Sequence, residues 1–457
     1  MNTITDFLDL EDSNVIITEL KTVGKTKEIL VETPAEIHFC PICNCKMYSR
    51  GIKTRHINHP ILRDGYQVII VLKQRRWRCT NSACNYEANE SFKFVDKNKR
   101  NSNATDFLII NELKDLSNTV SSVAEKFFMS DTAVIETFYK YVKMERLPLS
   151  EIISVDEVHL ELDEHCKYAL VIQDFFTGDP IDLVKSRRSD ITLPYFTSIP
   201  KEERYAVKYL VSDMYNPYLN YVNQYFLNAV AVVDSFHVIQ HLNRYIDSYI
   251  KQLTKRYRKR DKDNYLKKHP DCDDFSVIPM SEEVYILKKY KWLVLKNQDS
   301  IEYYSDFHID KRLNALMNTY DYEYRLFRID PKLKDFRDLK EKYIRFNSRN
   351  AGNPMQARLE LDELIHIYLK SEHEIFNKFA NTLIRNYEYI LNSFVMVEKH
   401  GPGKLYDSRL SNGPIESLNR KIKDLRRLGR GYRNFEHFRT RFLFSTRKNN
   451  TINGKEK

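Results

Sequence analysis

One carboxylate lies in a stretch of the chain that is otherwise mostly apolar. Asp156 falls within residues 152–160, where five of the nine side chains are apolar and predict a largely buried strand. A buried carboxylate costs free energy unless a charged partner or a metal ion compensates it. The chemistry open to Asp156 is therefore metal binding, and a partly exposed acid on an edge strand is the plainer alternative.

Two further acids end predicted strands in the same region. Asp213 ends the predicted strand 206–213, and Asp234 ends the predicted strand 229–234. Ligands of open α/β sheets bind at the carboxyl ends of the strands. Acids that converge at such an edge are better explained by a metal ion than by chance. Asp234 also precedes a predicted long helix, so its side chain could instead cap that helix.

A fourth acid lies in the first turn of a helix near the C-terminus. Pro414 suits the first helical position, and Glu416 follows it. An acid in the first turn stabilises a helix electrostatically, which is a sufficient reason for Glu416 without any catalytic role. The helix has an apolar face and an opposite, mainly basic stripe. The apolar face holds Ile415, Leu418, Ile422 and Leu425, and the stripe holds Glu416, Asn419, Arg420, Lys423 and Arg427.

The C-terminal region that contains this helix is strongly basic. Residues 420–448 hold eleven Lys or Arg against two acids, Asp424 and Glu436. Such a run suits contact with the phosphates of a nucleic acid, and a merely solvated face is the alternative. Arg426 and Arg427 are the adjacent pair that we predict to contribute.

The cysteines are concentrated near the N-terminus. Five of the seven precede residue 85, which indicates a metal cluster rather than a disulfide framework. The cysteines include two pairs with short internal gaps, Cys40 with Cys43 and Cys79 with Cys84, and 35 residues separate the two pairs. Strand-like residues 66–72 between the pairs predict an inserted hairpin. Cys45 is a spare thiol that could compete as a ligand. Cys40 with Cys43 and Cys79 with Cys84 suit a tetrahedral four-thiolate Zn²⁺ site, with reduced core cysteines as the alternative.

Residues 103–142 show the periodicity of three short helices. Ser130 follows a tight turn and can cap the third helix. Two short helices joined by a tight turn and preceded by a third resemble a helix-turn-helix. An ordinary three-helix bundle explains the segment equally well, because the exposed face of the third helix is not strongly basic.

Composition limits the class of protein. The chain has 457 residues, enough for roughly three domains. Hydrophobic content of 42% supports a sizeable core, and a net charge of +10 suits a polyanionic partner. No apolar run is long enough for a membrane span, and acids near the N-terminus exclude a signal peptide. We expect a cytoplasmic protein with no membrane partner.

The order of predicted elements separates a sheet from a helical region. Residues 151–245 read as three strands, a helix, a strand, a helix, a strand and the start of a long helix, which predicts a mixed α/β sheet. From residue 251 to about 405 the pattern is helical. This predicts a multidomain fold of α+β and α/β character, in which a helical insertion interrupts the sheet domain.

Several motifs together resemble the bacterial ISL-three family of insertion-sequence transposases. They are the N-terminal cysteine pairs, DMYNPY at 213–218, DSFHV at 234–238, SNGPIESLNRKIK at 411–423 and RGYRNF at 430–435. The resemblance covers nearly the whole chain and keeps the motifs in order. It implies a DD(E) transposase with an RNase H-like catalytic core.

The resemblance also implies roles for individual residues. The catalytic triad would be Asp156, Asp213 and Glu416, which would bind two Mg²⁺ (or Mn²⁺) ions. Asp213 rather than Asp234 is the second acid, because it closes the fourth strand in the RNase H-like order. Asp234 and His237 resemble an accessory signature that follows the second acid in related transposases. The residues expected to hold DNA phosphates are Arg420, Lys423, Arg426 and Arg427.

The expected organisation and partners follow from the same resemblance. The protein would bind double-stranded DNA, both its terminal inverted repeats and a target, as a homodimer on paired ends, and would be nucleoid-associated when bound. The predicted domains are a zinc-binding domain at 1–100, a helix-turn-helix DNA-binding domain at 101–148, the first part of the core at 150–250, an all-helical insertion at 251–405, and the core helix carrying Glu416 at 406–450.

Two other functions remain open at this point. One is a non-catalytic regulator that binds DNA through the zinc module and the helix-turn-helix. The other is an RNase H-like nuclease that cleaves without strand transfer.

Overall fold

The structure is a computed structural model that describes residues 10, 12, 14–60, 66–162, 167–271, 273–401, 404–429 and 432–450. The chain divides into two compact units. The first comprises Met1–Leu147, Val158–Ala169 and Leu418–Lys457, and the second comprises Pro148–Glu157 and Leu170–Ser417. The finer division into five domains stays a prediction.

The N-terminal part of the first unit is built on a five-stranded sheet. Its strand order is β1-β2-β4-β3, and β5 pairs with the end of β4. Two 13-residue strands, β3 and β4, form a long antiparallel pair, which confirms the predicted hairpin. Apolar side chains such as Ile57, Ile70 and Leu72 form the core beneath the sheet. The strands are β1 (Ile16–Val23), β2 (Thr26–Glu32), β3 (Met47–His59), β4 (Gln67–Cys79) and β5 (Glu87–Asn89).

Three short helices follow, as the periodicity predicts. The hydroxyl of Ser130 accepts a hydrogen bond from Ala133 N at 3.2 Å, so Ser130 caps the third helix as expected. Phe128, in the turn before it, has a φ of 53°. Val134 and Phe138 form the buried face of that helix. The helices are α1 (Asn103–Glu112), α2 (Val120–Lys126) and α3 (Asp131–Tyr141).

A second five-stranded sheet has the order β10-β9-β6-β7-β8. Strand β6 pairs in parallel with β9, and β9 pairs in parallel with β10. Strands β7 and β8 are antiparallel. This mixed sheet confirms the sequence prediction for residues 151–245. Its elements are β6 (Ile152–His159), β7 (Tyr168–Asp174), β8 (Pro180–Val184), α4 (Ser189–Ser198), α5 (Lys201–Ala206), β9 (Tyr209–Ser212), α6 (Asn216–Leu219), α7 (Tyr221–Gln224) and β10 (Val230–Val233).

The region after the sheet is mainly, but not wholly, helical. The prediction of an all-helical insertion is wrong at one hairpin of two three-residue strands, where Ile309 pairs with Leu316. On this hairpin the apolar Ile309 and Leu316 are exposed, whereas the polar Asp310 is buried together with Met317, so the order of apolar and polar residues does not reveal the buried face. The elements are α8 (Ser235–Lys268), α9 (Glu282–Lys289), α10 (Trp292–Leu295), β11 (His308–Asp310), β12 (Ala315–Met317), α11 (Thr319–Ile329), α12 (Lys332–Arg349), α13 (Pro354–Leu369), α14 (Glu374–Arg385) and α15 (Tyr387–Asn392).

A second hairpin, also missed, leads into the C-terminal helices. Pro402 and Gly403, residue types that predict a break before the last element, lie outside the described residues. So do Arg430 and Gly431 of the RGYRNF motif. None of the described helices is long and apolar enough to cross a membrane. The last elements are β13 (Met396–Gly401), β14 (Lys404–Arg409), α16 (Gly413–Leu428) and α17 (Phe435–Thr446).

Candidate active site and zinc site

Asp156 and Asp213 extend the same face of the second sheet. The register of β6 and β9 pairs Ile152 with Tyr209 and Ser154 with Val211. Because side chains alternate along a strand, Asp156 continues the face of Ser154, and Asp213, which directly follows β9, continues the face of Val211. Ile152 and Val211 pack in one hydrophobic cluster with Leu410. The face that carries both acids is therefore the one covered by the residues that precede α16.

The carboxylate of Asp213 is partly withdrawn from water. Its Oδ1 is buried and has no hydrogen-bond partner among the described residues. Burial raises the pKa of Asp213, and Glu157 raises it further, whereas the nearby His237 lowers it. A buried oxygen without a donor is costly for a carboxylate but suits a ligand of a hard cation.

Asp234 has a different environment, in which backbone amides satisfy both of its oxygens. Its Oδ1 accepts from Phe236 N at 2.9 Å, so Asp234 caps α8. Its Oδ2 accepts from Asn412 N at 2.8 Å, and the residue is only 3% exposed. His237 follows in the first turn of α8, and its Nε2 is buried without a hydrogen-bond partner in the part of the chain described. The capping alternative for Asp234 is thus what is observed.

Glu416 lies in the first turn of α16 and is half-buried. The chain just before that helix is tied to two elements of the sheet. Asn412 donates through its backbone to Asp234 and through Nδ2 to Val155 O at 3.4 Å. Val155 directly precedes Asp156, so the start of the helix that carries Glu416 is held close to the first acid.

The three acids do not form a closed cluster. Among the described residues, the one set of three or more His, Cys, Asp or Glu side chains whose ligand atoms all lie within 4.8 Å of one another is a group of cysteines. Carboxylates without a cation between them repel one another. Asp156, Asp213 and Glu416 belong to the second unit, but their oxygens do not all lie within 4.8 Å of one another.

A clamp beside Asp213 was missed by the sequence analysis. We define the Glu157 clamp as Glu157, Arg187 and Tyr218. Glu157 Oε2 accepts from Arg187 Nη1 at 2.5 Å and from the hydroxyl of Tyr218 at 2.7 Å. The Arg187 guanidinium also lies 5.3 Å from the centre of the Tyr215 ring. The clamp joins the residue after Asp156 to the segment after Asp213. Tyr218 within the DMYNPY motif was the available signal.

Two of the four basic side chains expected on α16 are already engaged. Arg426 donates to the carbonyl oxygens of Leu160 at 3.1 Å and Glu161 at 3.0 Å. Arg427 pairs with Asp424 at 2.8 Å. Arg420 and Lys423 are exposed, and neither has an ion pair or a hydrogen-bonded partner within the described ranges. The apolar face of α16 is buried as predicted.

Part of the basic run in and directly after α17 is also structural. Arg441 is 2% exposed and donates to the carbonyl oxygens of Asp115 at 2.9 Å and Asn118 at 3.0 Å. Arg447 is 4% exposed and donates to Glu145 O at 2.8 Å. These side chains stabilise the first unit by binding carbonyl groups, so the count of eleven cations overstates the basic surface.

The cysteines at the base of the β3–β4 hairpin do form a cluster. Cys40, Cys43, Cys79 and Cys84 have sulfur atoms that all lie within 4.8 Å of one another. The register that pairs Met47 with Cys79 brings the second pair back to the first. The long gap between the pairs is therefore the length of the hairpin. Cys45 is not part of the cluster.

Similar tight turns hold each cysteine pair. Asn44 and Asn85 follow Cys43 and Cys84, and they have φ values of 55° and 50°, in the left-handed region that Asn tolerates well. Asn44 N donates to Cys40 O at 2.9 Å, and Asn85 N donates to Asn81 O at 3.3 Å. An asparagine after the second cysteine of each pair is a sequence signal that could have strengthened the zinc prediction.

The geometry of the sulfur atoms fits a zinc ion. The Sγ–Sγ distances are 3.7 Å for Cys40–Cys84 and 3.4 Å for Cys43–Cys79. Tetrahedral Zn–S bonds of roughly 2.3 Å imply sulfurs roughly 3.8 Å apart. A hydrogen bond from the Cys45 backbone and the neighbouring thiols lower the pKa of Cys43 to about 6, whereas burial raises that of Cys79 to about 12. Four cysteines at this spacing could bind zinc.

Comparison with known proteins identifies a family. A family described as a transposase, DDE_Tnp_ISL3, matches residues 153–442, well over half of the chain. The matched region includes the three acids, Asp234, His237 and α16, and it begins after the cysteine cluster. A search of curated proteins found no match.

Proposed function

Because the chain belongs to the ISL3 family of transposases, we propose that it is a DDE transposase that binds the terminal inverted repeats of its insertion sequence and catalyses DNA strand cleavage and strand transfer. The observation that carries this proposal is that Asp156, within β6, and Asp213, directly after β9, lie on one face of two neighbouring parallel strands. The strand order β10-β9-β6-β7-β8 supports an RNase H-like core, in which the first and fourth strands are neighbours.

The proposed catalytic residues are Asp156, Asp213 and Glu416, which would hold Mg²⁺ or Mn²⁺. Bound in pairs, such ions supply an activated water or 3′-hydroxyl and stabilise the leaving oxygen of a phosphodiester. The buried Oδ1 of Asp213, which has no hydrogen-bond partner among the described residues, fits this role. Because the pKa of Asp213 is raised, protons compete for its carboxylate as the pH falls, so we expect metal affinity to weaken in acid.

The remaining residues would position the DNA and the acids. His237 lies close enough to Asp213 to affect its pKa and could orient a phosphate or a flanking nucleotide. Asp234 would hold the start of α8 and the residues before Glu416 through its two backbone contacts. Arg420 and Lys423 are the better candidates for phosphate contact on α16, since Arg426 and Arg427 have partners within the chain.

The N-terminal elements would recognise the element ends. Zinc bound by the four cysteines would hold the base of the β3–β4 hairpin, and it has no catalytic part because a four-thiolate site leaves no open position. Helices α2 and α3 would act as a helix-turn-helix. We further propose a homodimer that pairs two ends and acts in the cytoplasm on chromosomal DNA.

An activity assay tests the proposal directly. Purified protein is mixed with duplexes that carry the inverted repeats flanking its gene, with and without Mg²⁺. We expect metal-dependent nicking at the repeat ends and joining of pre-cleaved ends to a second duplex. Nicking without joining would favour the nuclease alternative, and binding without nicking would favour the non-catalytic regulator.

Substitutions then test the acids. Asp156→Asn, Asp213→Asn and Glu416→Gln are each expected to reduce cleavage by at least 100-fold while end binding stays within about threefold, because each removes a metal ligand. Glu151→Gln is the matched control, since this exposed acid just before β6 pairs with Lys208. Cleavage within tenfold of wild type would remove that acid from the triad.

A change of metal preference distinguishes the second acid. Asp213→Cys should make cleavage prefer Mn²⁺ to Mg²⁺, because a thiolate is a poor ligand for the harder ion. Asp234→Cys should lower the rate without that preference. The preference appearing at Asp234 alone would reverse the assignment of these two residues.

A further inference from the structure

A large groove lies in the N-terminal part of the first unit, beside the β3–β4 hairpin. It has a volume of about 1280 Å³ and is lined by residues of β3, β4 and the segment 86–100. Seven Lys or Arg and three Asp or Glu contribute to the lining, so the groove carries a net positive charge. None of these residues belongs to the cysteine cluster or to α16.

Three of the seven cations have structural partners. Arg50 pairs with Glu87 at 2.6 Å. Arg55 donates to the carbonyl oxygens of Asp96 and Lys99 at 3.2 and 2.5 Å. Lys99 in turn forms an ion pair with Asp106. These contacts hold the segment 86–100 against the hairpin. They also make the three side chains less available to a ligand.

The other four cations are Lys53, Arg76, Lys97 and Arg100. All four are exposed, and none makes a side-chain hydrogen bond or ion pair with the rest of the described chain. The register of β3 and β4 pairs Lys53 with Gln74 and Gly51 with Arg76. Lys53 and Arg76 are therefore on the same face of the hairpin, two residues apart along the sheet. This face is apolar at Leu72 and becomes basic toward the cysteine end of the hairpin.

Two aromatic residues, Trp77 and Tyr86, also contribute to the lining of the groove. Trp77 Nε1 donates to Glu90 Oε1 at 3.3 Å, which holds the ring in place. Several separate cations along an open groove suit a repeating polyanion better than a single small anion, which needs converging donors.

We propose that this groove binds the phosphate backbone of duplex DNA and does so without reading its sequence. The inference rests on the proposed function in taking DNA as the partner, and it adds a binding surface distinct from α3 and α16. Zinc at the base of the hairpin would keep β3 and β4 in register and so maintain the spacing of Lys53 and Arg76. The four free cations would each neutralise about one phosphate.

Paired substitutions in the full-length, zinc-containing protein test the groove. Lys53→Gln with Arg76→Gln, and Lys97→Gln with Arg100→Gln, each remove two free cations. Lys21→Gln with Lys25→Gln is the matched control, because it removes the same charge from the β1–β2 region outside the groove. Binding is measured over a range of salt concentrations without added Mg²⁺, on a duplex carrying the inverted repeat and on an unrelated duplex.

Each groove pair is expected to weaken binding to both duplexes by at least tenfold and to flatten the log–log salt slope by up to about two units. The control pair should leave both quantities near wild type. Zinc content and thermal midpoint show that the variants remain folded. Equal effects in groove and control variants would overturn the proposal. A loss confined to the inverted repeat would overturn it as well.

Fluorescence localises the contact. The chain has two tryptophans, so Trp292→Phe leaves Trp77 as the sole reporter. Addition of the unrelated duplex should change Trp77 emission, and an unchanged spectrum at saturating DNA would contradict the proposal. The binding assays do not require cleavage, so a failure of the groove proposal can be distinguished from a failure of the proposed function. Groove variants that bind like wild type refute the groove alone, and a protein that binds through the groove but never cleaves refutes the proposed function alone.

Discussion

At the scale of single residues, Asp213 and Asp234 show how two strand-end acids differ in their surroundings. Asp234 uses both oxygens to accept from backbone amides, whereas Asp213 has a buried oxygen without a partner in the described chain. The first arrangement stabilises the fold, and the second costs stability unless a cation is bound. A destabilising group that fits a ligand is typical of functional sites.

Substitution by asparagine should therefore have opposite effects on the stability of these two positions. In protein with its zinc but without Mg²⁺ at pH 7, Asp213→Asn is expected to raise the thermal midpoint by about 1–3 °C, because it removes a poorly solvated charge. Asp234→Asn is expected to lower it, because an amide can accept from only one of the two N–H groups. Thermal unfolding of both variants provides the measurement.

The pH dependence of folding stability tests whether the Asp213 carboxyl causes this difference. A carboxyl whose folded pKa is raised binds more protons in the folded than in the unfolded state, so its contribution to stability is lost as the pH rises through the raised pKa. The advantage of Asp213→Asn over wild type should thus grow with increasing pH and vanish in acid. An advantage that is constant with pH would show that Asp213 is not the group responsible.

At the scale of elements, helix α16 carries basic residues with unequal roles. Arg426 is tied to two carbonyl groups, and Arg427 is paired with Asp424, whereas Arg420 and Lys423 are free of such contacts in the described chain. Changing Arg420 and Lys423 together to Gln should flatten the salt slope of DNA binding by up to about two units. Arg426→Gln should instead lower the thermal midpoint with a smaller change in slope. The reverse pattern would assign phosphate contact to Arg426.

The Glu157 clamp joins β6 to the segment after β9. Tyr218→Phe removes one of the two donors to Glu157 without changing ring packing, so the spacing of Asp156 and Asp213 is less well held. We expect the Mg²⁺ concentration for half-maximal cleavage to rise about threefold or more, while the rate at saturating Mg²⁺ changes little. Tyr215→Phe, which keeps the ring beneath Arg187, is the control. An unchanged metal requirement in Tyr218→Phe would mean that the clamp has no part in holding the acids.

At the scale of the whole molecule, the cysteine cluster and the family match fall on different parts of the chain. The match covers residues 153–442, and the cysteines precede it. We therefore expect that loss of zinc from the cysteine cluster leaves the proposed catalytic acids unchanged. Zinc and Mg²⁺ should therefore act on different properties, zinc on folding and DNA binding and Mg²⁺ on cleavage.

Metal analysis tests the zinc assignment. Wild-type protein should hold one zinc per chain, and Cys43→Ser or Cys79→Ser should lose most of it and lower the thermal midpoint. Cys45→Ser is the control and should retain zinc, since Cys45 lies outside the four-sulfur cluster. Loss of zinc in Cys45→Ser but not in Cys43→Ser would require a different ligand set.

Local features were predictable from the sequence because they depend on residues that are neighbours along the chain. The span of β6, the three successive strands at the start of the second sheet, the Ser130 cap, the buried face of α16 and the hairpin between the cysteine pairs all agree with the structure. Each results from periodicity, capping or spacing within a few turns or strands. The family match likewise confirms the resemblance drawn from the motifs.

Only the tertiary structure decided which basic and acidic side chains already have partners within the protein. Arg441 reaches carbonyl groups more than 320 residues away in the sequence, and Asp234 accepts from an amide 178 residues away. The hairpin β11–β12 buries the polar Asp310 and exposes Ile309 and Leu316, and β14 has no buried side chain, so no sequence pattern reveals either hairpin. Composition counts a cation or an acid equally whether it is paired inside the protein or free to bind a ligand. That difference depends on desolvation and on partners distant in sequence, and it separates Asp213 from Asp234 and Arg420 from Arg426.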